Sequence, residues 1–188
     1  MINFSKVILL AVLLSSCAST PDKIDGSFDL LSRDYLYEKK TWFFSGRMSV
    51  ADEKNAVSAS IEWDHLNSED NIYMSGPFGQ GRTKVVLTED TVKIDLAGKQ
   101  ASYVGNVDDI VAAELGISIP ISALKYWVLG VTEPKSEYKK LRNGFVQHGW
   151  NVIYLQMQAE GELPRKMRVE QGNAKLKLIF NHWGISKP

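Results

Sequence analysis

The chain has 188 residues and carries 22 Lys and Arg against 22 Asp and Glu, a formal charge of zero. That length holds one good-sized domain or two small ones, and the balanced charge argues against a protein built to wrap nucleic acid. One cysteine excludes an intramolecular disulfide and a thiolate zinc cluster, and a composition that is 44% hydrophobic and 23% charged argues against disorder.

Met1 to Lys6 is a short, weakly cationic opening, followed by an apolar run of eight residues from Val7 to Leu14. A bilayer span needs roughly 20 apolar residues, so the run is a secretory signal by length, charge and small-residue ending. It closes on Leu14-Ser15-Ser16-Cys17, which resembles a bacterial lipobox: lipid on Cys17 and cleavage before it. An ordinary signal peptide with an incidental cysteine is the alternative. Removing residues 1–16 takes Lys6 with it, so the mature chain carries one more acid than base. Each acyl CH₂ buried in a bilayer adds about 0.8 kcal/mol, so two or three chains anchor firmly. Ala18 follows the cysteine, where aspartate would resemble an inner-membrane retention signal; the destination implied is the outer membrane. Residues 17–27 read as a flexible tether and 28–188 as one domain.

In chain order, Phe28, Leu31, Tyr35 and Leu36 recur at helical spacing and predict an amphipathic helix over 28–39. A period of two then takes over, predicting strands over 43–50, 57–63, 72–74, 83–87, 92–96 and 99–104. The pattern breaks at Asp108. Acids in a first turn and a closing Gly116 predict a short helix over 108–116; Ser122 is placed to cap a second over 123–129, stopped by Gly130. Strands resume over 145–148, 150–158, 167–170 and 176–180. A meander of ten or so strands curls; with two helices over its open side, it is expected to enclose a cavity. The fold class is therefore α+β and mainly β: an unclosed antiparallel barrel with a helical lid.

Chemistry-bearing clusters are absent from the sequence. His65, His148 and His182 have no metal-ligand spacing and read as surface or rim residues. There is no G-x-S-x-G elbow, and Gly76-Pro77-Phe78-Gly79-Gln80-Gly81 lacks the G-K-[ST] ending of a phosphate loop. Asp108 and Asp109 are explained by helix capping better than as an acid–base pair. The chain is read as no enzyme, with no cofactor and no metal; a hydrolase using His148 or Asp109 is the weakest alternative. The apolar positions of the strands and helices are a core that could equally line a lipid-sized cavity: Phe44, Met48, Ile61, Trp63, Met74, Leu87, Ile94, Leu124, Trp127 and Leu178. Phe78 stands apart. Pro77 and Gly79 around it define a turn tip, and a large ring there has reason to enter a membrane or an apolar partner.

Several motifs in order resemble the LolB family of outer-membrane lipoproteins: the lipobox, Ser45-Gly46-Arg47-Met48, a strand ending in Trp63, Gly76-Pro77-Phe78-Gly79, Leu115 to Ile121, Leu124-x-x-Trp127-Val-Leu-Gly130, Gly149-Trp150-x-Val152-x-Tyr154, Leu163-Pro164, and Leu176-x-Leu178 with Trp183. The resemblance implies a half-closed barrel with a lid over a hydrophobic cavity. It further implies an outer-membrane protein facing the periplasm, acting as a monomer with no nucleic-acid partner. Such a protein takes acylated lipoprotein cargo from a LolA-type periplasmic carrier and inserts it among outer-membrane lipids. In the family an apolar residue of the Pro-x-Gly loop serves membrane delivery; here that position is Phe78. A lipid-anchored assembly module that binds an envelope protein through apolar loops is the alternative reading.

Overall fold

The computed structural model describes residues 28–53, 56–116, 118–159 and 163–185. They form one eleven-stranded antiparallel sheet with two helices. The first half runs β1 (Thr41–Ala51), β2 (Ala56–Leu66), β3 (Glu69–Ser75), β4 (Thr83–Leu87), β5 (Thr91–Leu96) and β6 (Lys99–Val104). Helices α1 (Val107–Leu115) and α2 (Ile121–Trp127) follow. The second half comprises β7 (Tyr138–Leu141), β8 (Gly144–Gln147), β9 (Trp150–Met157), β10 (Pro164–Gln171) and β11 (Ala174–Ile185).

The strand order is β6-β5-β4-β3-β2-β1-β11-β10-β9-β8-β7. Two meanders are thus sewn together where β1 meets β11, with Met48 opposite Leu178. The helices interrupt the chain between β6 and β7, which are the two outer edges of the sheet. The sheet is therefore unclosed. β7 carries Lys139 and Lys140 over only four residues, a charged, short edge that discourages further pairing.

Alternation puts one set of side chains inside. In β1, Trp42, Phe44 and Met48 are buried while Phe43 and Arg47 face out, and Ile61 and Trp63 continue the inner face on β2. Gly46 lies where the register to β11 shifts. A Cβ there would sit 2.1 Å from the Ile179 carbonyl oxygen, so the close crossing of β1 and β11 requires glycine.

The expected helix over 28–39 is not formed. Only a 3₁₀ turn, Asp34–Glu38, appears; Phe28 and Leu36 are buried, but Leu31 and Tyr35 face solvent. The reason lies in Arg33, whose buried guanidinium donates to the Gly130 and Leu129 carbonyl oxygens, both at 2.9 Å. The segment is pinned as a strap by that side chain rather than laid down by its apolar stripe. β7 was not expected from the sequence, and the predicted strands of the second half are longer than anticipated at β10 and β11.

Candidate functional site

The two helices form a lid with a shared anchor. Asn106 caps α1, its side chain accepting from the Asp109 N–H at 3.0 Å, and Gly116 closes the helix in the left-handed region at φ 67°. Ser122 does not cap α2. The N-cap position belongs to Pro120, which offers no side-chain acceptor. Asp108 of α1 supplies it instead: its carboxylate accepts from the Ser122 N–H at 2.9 Å and from the Ser122 hydroxyl at 2.5 Å. Tyr103 on β6 hydrogen-bonds Glu114 of α1, which holds the phenol pKa above its ordinary value.

The far end of the lid is held to the second half of the sheet. Trp127 is fully buried; its Nε1 donates to the Gln147 side chain at 2.8 Å, and its carbonyl accepts from the Tyr154 hydroxyl at 2.7 Å. Beyond it the chain turns at Gly130, φ 87°, where a Cβ would lie 2.6 Å from the Arg33 guanidinium. Tyr37 adds a hydrogen bond to Thr132 at 3.0 Å. The strap, the lid and the sheet therefore meet at one buried point.

Beneath the lid lies an apolar pocket of about 30 Å³. Its lining includes seven residues expected from alternation: Met48, Ile61, Trp63, Met74, Leu87, Leu124 and Leu178. The remaining three lie elsewhere in the core. Phe44 packs in an aromatic cluster, 4.8 Å from Phe180 and 5.1 Å from Trp183; Ile94 is buried on β5; Trp127 is held by Gln147. Lining residues missed by the sequence reading include Val50, Ile72, Val85, Leu176 and, from the lid, Val111, Leu115, Ile119 and Ile121. The strand residues among them continue the same period of two, and Val111 and Leu115 stand four apart on α1, so the signal was present but unused. A pocket of this size is nearly filled by its own side chains, since ligand pockets run to about 300–1,000 Å³.

An adjoining open pocket of about 510 Å³ shares Met48, Val50, Met74 and Leu115 with it and extends to Gly76, Gln80 and Gly81. Those last residues belong to the β3–β4 connection. There Pro77–Gly79 forms a single 3₁₀ turn with Phe78 at its centre, closed by the Gly76 N–H on the Gln80 carbonyl at 2.8 Å. Gly79 and Gly81 both sit at positive φ, 75° and 61°, which glycine alone adopts readily. Pro77 and Gly79 are exposed. Cys17, the signal peptide and the tether lie outside the described residues.

The histidines divide. His65 is not a rim residue: its ring lies within 2.8 Å of the buried Asp70 carboxylate, the same oxygen that accepts from Trp63 Nε1 at 2.8 Å, and it stacks on Trp42. His148 and His182 are exposed, with His148 beside Glu133. Among the described residues no group of three His, Cys, Asp or Glu could hold a metal ion, and no helix is long and apolar enough to cross a membrane.

A long antiparallel sheet, unclosed and lidded by two helices, defines a mainly β fold of the α+β class. It superposes on a crystal structure of a LolA superfamily protein from Nitrosomonas europaea with a TM-score of 0.56, at 6% identity, over 87% of this chain and 96% of that one. The sequence narrows the class further. Residues 40–183 match the family model for outer membrane lipoprotein LolB, and the chain belongs to that family. It is 29% identical to the outer-membrane lipoprotein LolB of Chromohalobacter salexigens, across 95% of this chain and 88% of the relative. It is 28% identical to that of Thiobacillus denitrificans, across 76% and 79%, and 27% identical to that of an Azoarcus species, across 92% and 90%. Family and fold together support a role in lipoprotein localisation.

Proposed function

We propose that this protein is anchored in the outer membrane through lipid on Cys17. Facing the periplasm, it accepts lipoproteins from a LolA-type carrier by their acyl chains and passes them into the membrane. The observation that carries this reading is the continuity of apolar surface. Met48, Val50, Met74 and Leu115 border both the pocket beneath the lid and the open pocket that reaches the Gly76–Gly81 connection.

Acyl chains are costly in water, roughly 0.8 kcal/mol per CH₂. A cargo handed from one apolar interior to another need never be hydrated. The pocket beneath the lid has room for little more than a water molecule, so an acyl chain enters by raising the lid as a unit. Val111, Leu115, Ile121 and Leu124 then exchange their contacts with the sheet for contacts with the chain. Methionines at positions 48 and 74 suit this exchange, because an unbranched thioether repacks against irregular apolar shapes. Direction follows from relative affinity: the acceptor binds the chains more tightly than the carrier does, and the bilayer more tightly still. Phe78, at the centre of the Pro77–Gly79 turn, enters the leaflet beside the pocket mouth.

Phe78→Glu tests the loop. The variant is expected to take cargo from the carrier at the normal rate and to retain it, with release into outer-membrane vesicles falling at least tenfold. Normal delivery by Phe78→Glu contradicts the loop's role.

A further inference from the structure

The outer face of the sheet carries a cleft of its own. Opposite the lid, side chains of β11, β1, β2 and β3 form a cleft of about 530 Å³. Pairing sets the order across it: Lys177 opposite Ser49 and Ser49 opposite Ser58 in one row, Arg47 opposite Ser60 and Ser60 opposite Ser75 in the next. The cleft ends at Gly76, Pro77 and Gly79. Its lining mixes the hydroxyls of Ser49, Ser58, Ser60 and Ser75 with the apolar Ala59 and Ile179, and its charged groups, Arg47 and Lys177, are both cationic. Arg47 is exposed and makes no ion pair among the described residues. The same face continues past Lys177 onto β10, where Arg168 stands opposite it and Lys166 stands opposite Ile179. No acid is in the lining of the cleft: Glu170 pairs with Arg168 at 3.1 Å, and Glu62 lies opposite Ser45 and Tyr73.

A planar guanidinium, an ammonium and a row of hydroxyl donors converging on an open groove is chemistry for a phosphate diester. We propose that this cleft binds the phosphate headgroups of membrane phospholipids, anionic ones foremost, and that it seats the protein on the leaflet while the adjoining turn enters it. The assignment rests on the membrane-facing reading of the Pro77–Gly79 turn, because the cleft and the turn share their border. An open groove beside such a turn fits a headgroup held in a surface better than a free ion, which is retained by enclosure.

The test uses the mature acylated protein in vesicles, with a fluorophore on Tyr73→Cys, on the same face beside the cleft but outside its lining. Headgroup-spin-labelled phosphatidylglycerol is titrated into phosphatidylcholine. Quenching is expected at low phosphatidylglycerol content, and the content needed for half-quenching should rise about fivefold for Arg47→Ser and again for Lys177→Ser, as loss of one surface cation each implies. Quenching that is equal in the wild type and the double variant overturns the proposal. So does a fluorophore that responds to inorganic phosphate without vesicles and not to labelled lipid, which marks a free-anion site. Phe78→Glu separates the two readings: normal cargo delivery by that variant removes the loop mechanism, whereas the effect of Arg47→Ser on quenching judges the cleft alone.

Discussion

Ser122, near the start of α2, gives both its backbone N–H and its hydroxyl to the Asp108 carboxylate in the first turn of α1, at 2.9 and 2.5 Å. One acidic side chain therefore serves as the N-terminal acceptor of the following helix, and the two helices are yoked. Asp108→Ala removes both acceptors and leaves the Ser122 N–H without its partner. The expected loss is about 1–3 kcal/mol of stability, measured by urea unfolding, with increased binding of an apolar dye to the native protein as the lid loosens. Unchanged dye binding would show that the helices do not depend on this tie.

Arg33 and Gly130 are coupled in the same sense at the other end of the lid. Arg33→Ala removes two buried charge-assisted hydrogen bonds and is expected to cost about 3 kcal/mol. Gly130→Ala meets two obstacles, a backbone at φ 87° and the Arg33 guanidinium 2.6 Å from the new Cβ. With Arg33→Ala already present only the backbone obstacle remains, about 1–2 kcal/mol. The double variant should be less destabilised than the sum of the singles. Strict additivity in a denaturation cycle would contradict the contact.

Tyr154 gives a pH dependence. Burial pushes its phenol well above the ordinary 10.0, with Arg33 opposing the rise and Tyr37 adding to it. The unfolded chain then ionises this group from pH about 10 while the folded chain keeps its proton, so folding stability falls as pH rises through that value. The slope from one such proton is about 1.4 kcal/mol per pH unit. Tyr154→Phe loses the hydrogen bond to the Trp127 carbonyl, about 1 kcal/mol at neutral pH, and flattens the alkaline decline. An alkaline limb as steep in Tyr154→Phe as in the wild type would assign it to other groups.

Strand placement was legible because alternation is a local signal with a fixed consequence. Met48, Ile61, Met74 and Leu178 fall on one face whatever the rest of the chain does. The misreadings came where a distant partner decides. The 28–39 stripe has helical spacing, but Arg33 is claimed by the Leu129 and Gly130 carbonyls nearly a hundred residues away. Ser122 looks like a cap until Pro120 takes the cap position and Asp108 approaches from the preceding helix. His65 reads as a rim residue until the β2–β3 register sets it opposite Asp70. Tyr138-Lys139-Lys140-Leu141 carries too little apolar alternation to announce β7; it is an edge strand whose polarity is its protection. The cationic cleft was invisible for a related reason: Arg47, Ser60, Ser75 and Lys177 come from four strands, and only the pairing brings them together.

The central claim is that the acyl chain of the cargo enters beneath the lid. A photo-cross-linking amino acid at Leu124, which lines the pocket, and another at Ile179, which lies on the outer face, separate the alternatives in one experiment. A lipoprotein radiolabelled in its polypeptide, with its acyl chains or without them, is presented together with the periplasmic carrier, and label is counted on each variant after irradiation. Strong labelling is expected from Leu124, little from Ile179, and none from Leu124 with non-acylated cargo. Labelling from Ile179 alone, or equal capture of acylated and non-acylated cargo at Leu124, would contradict it.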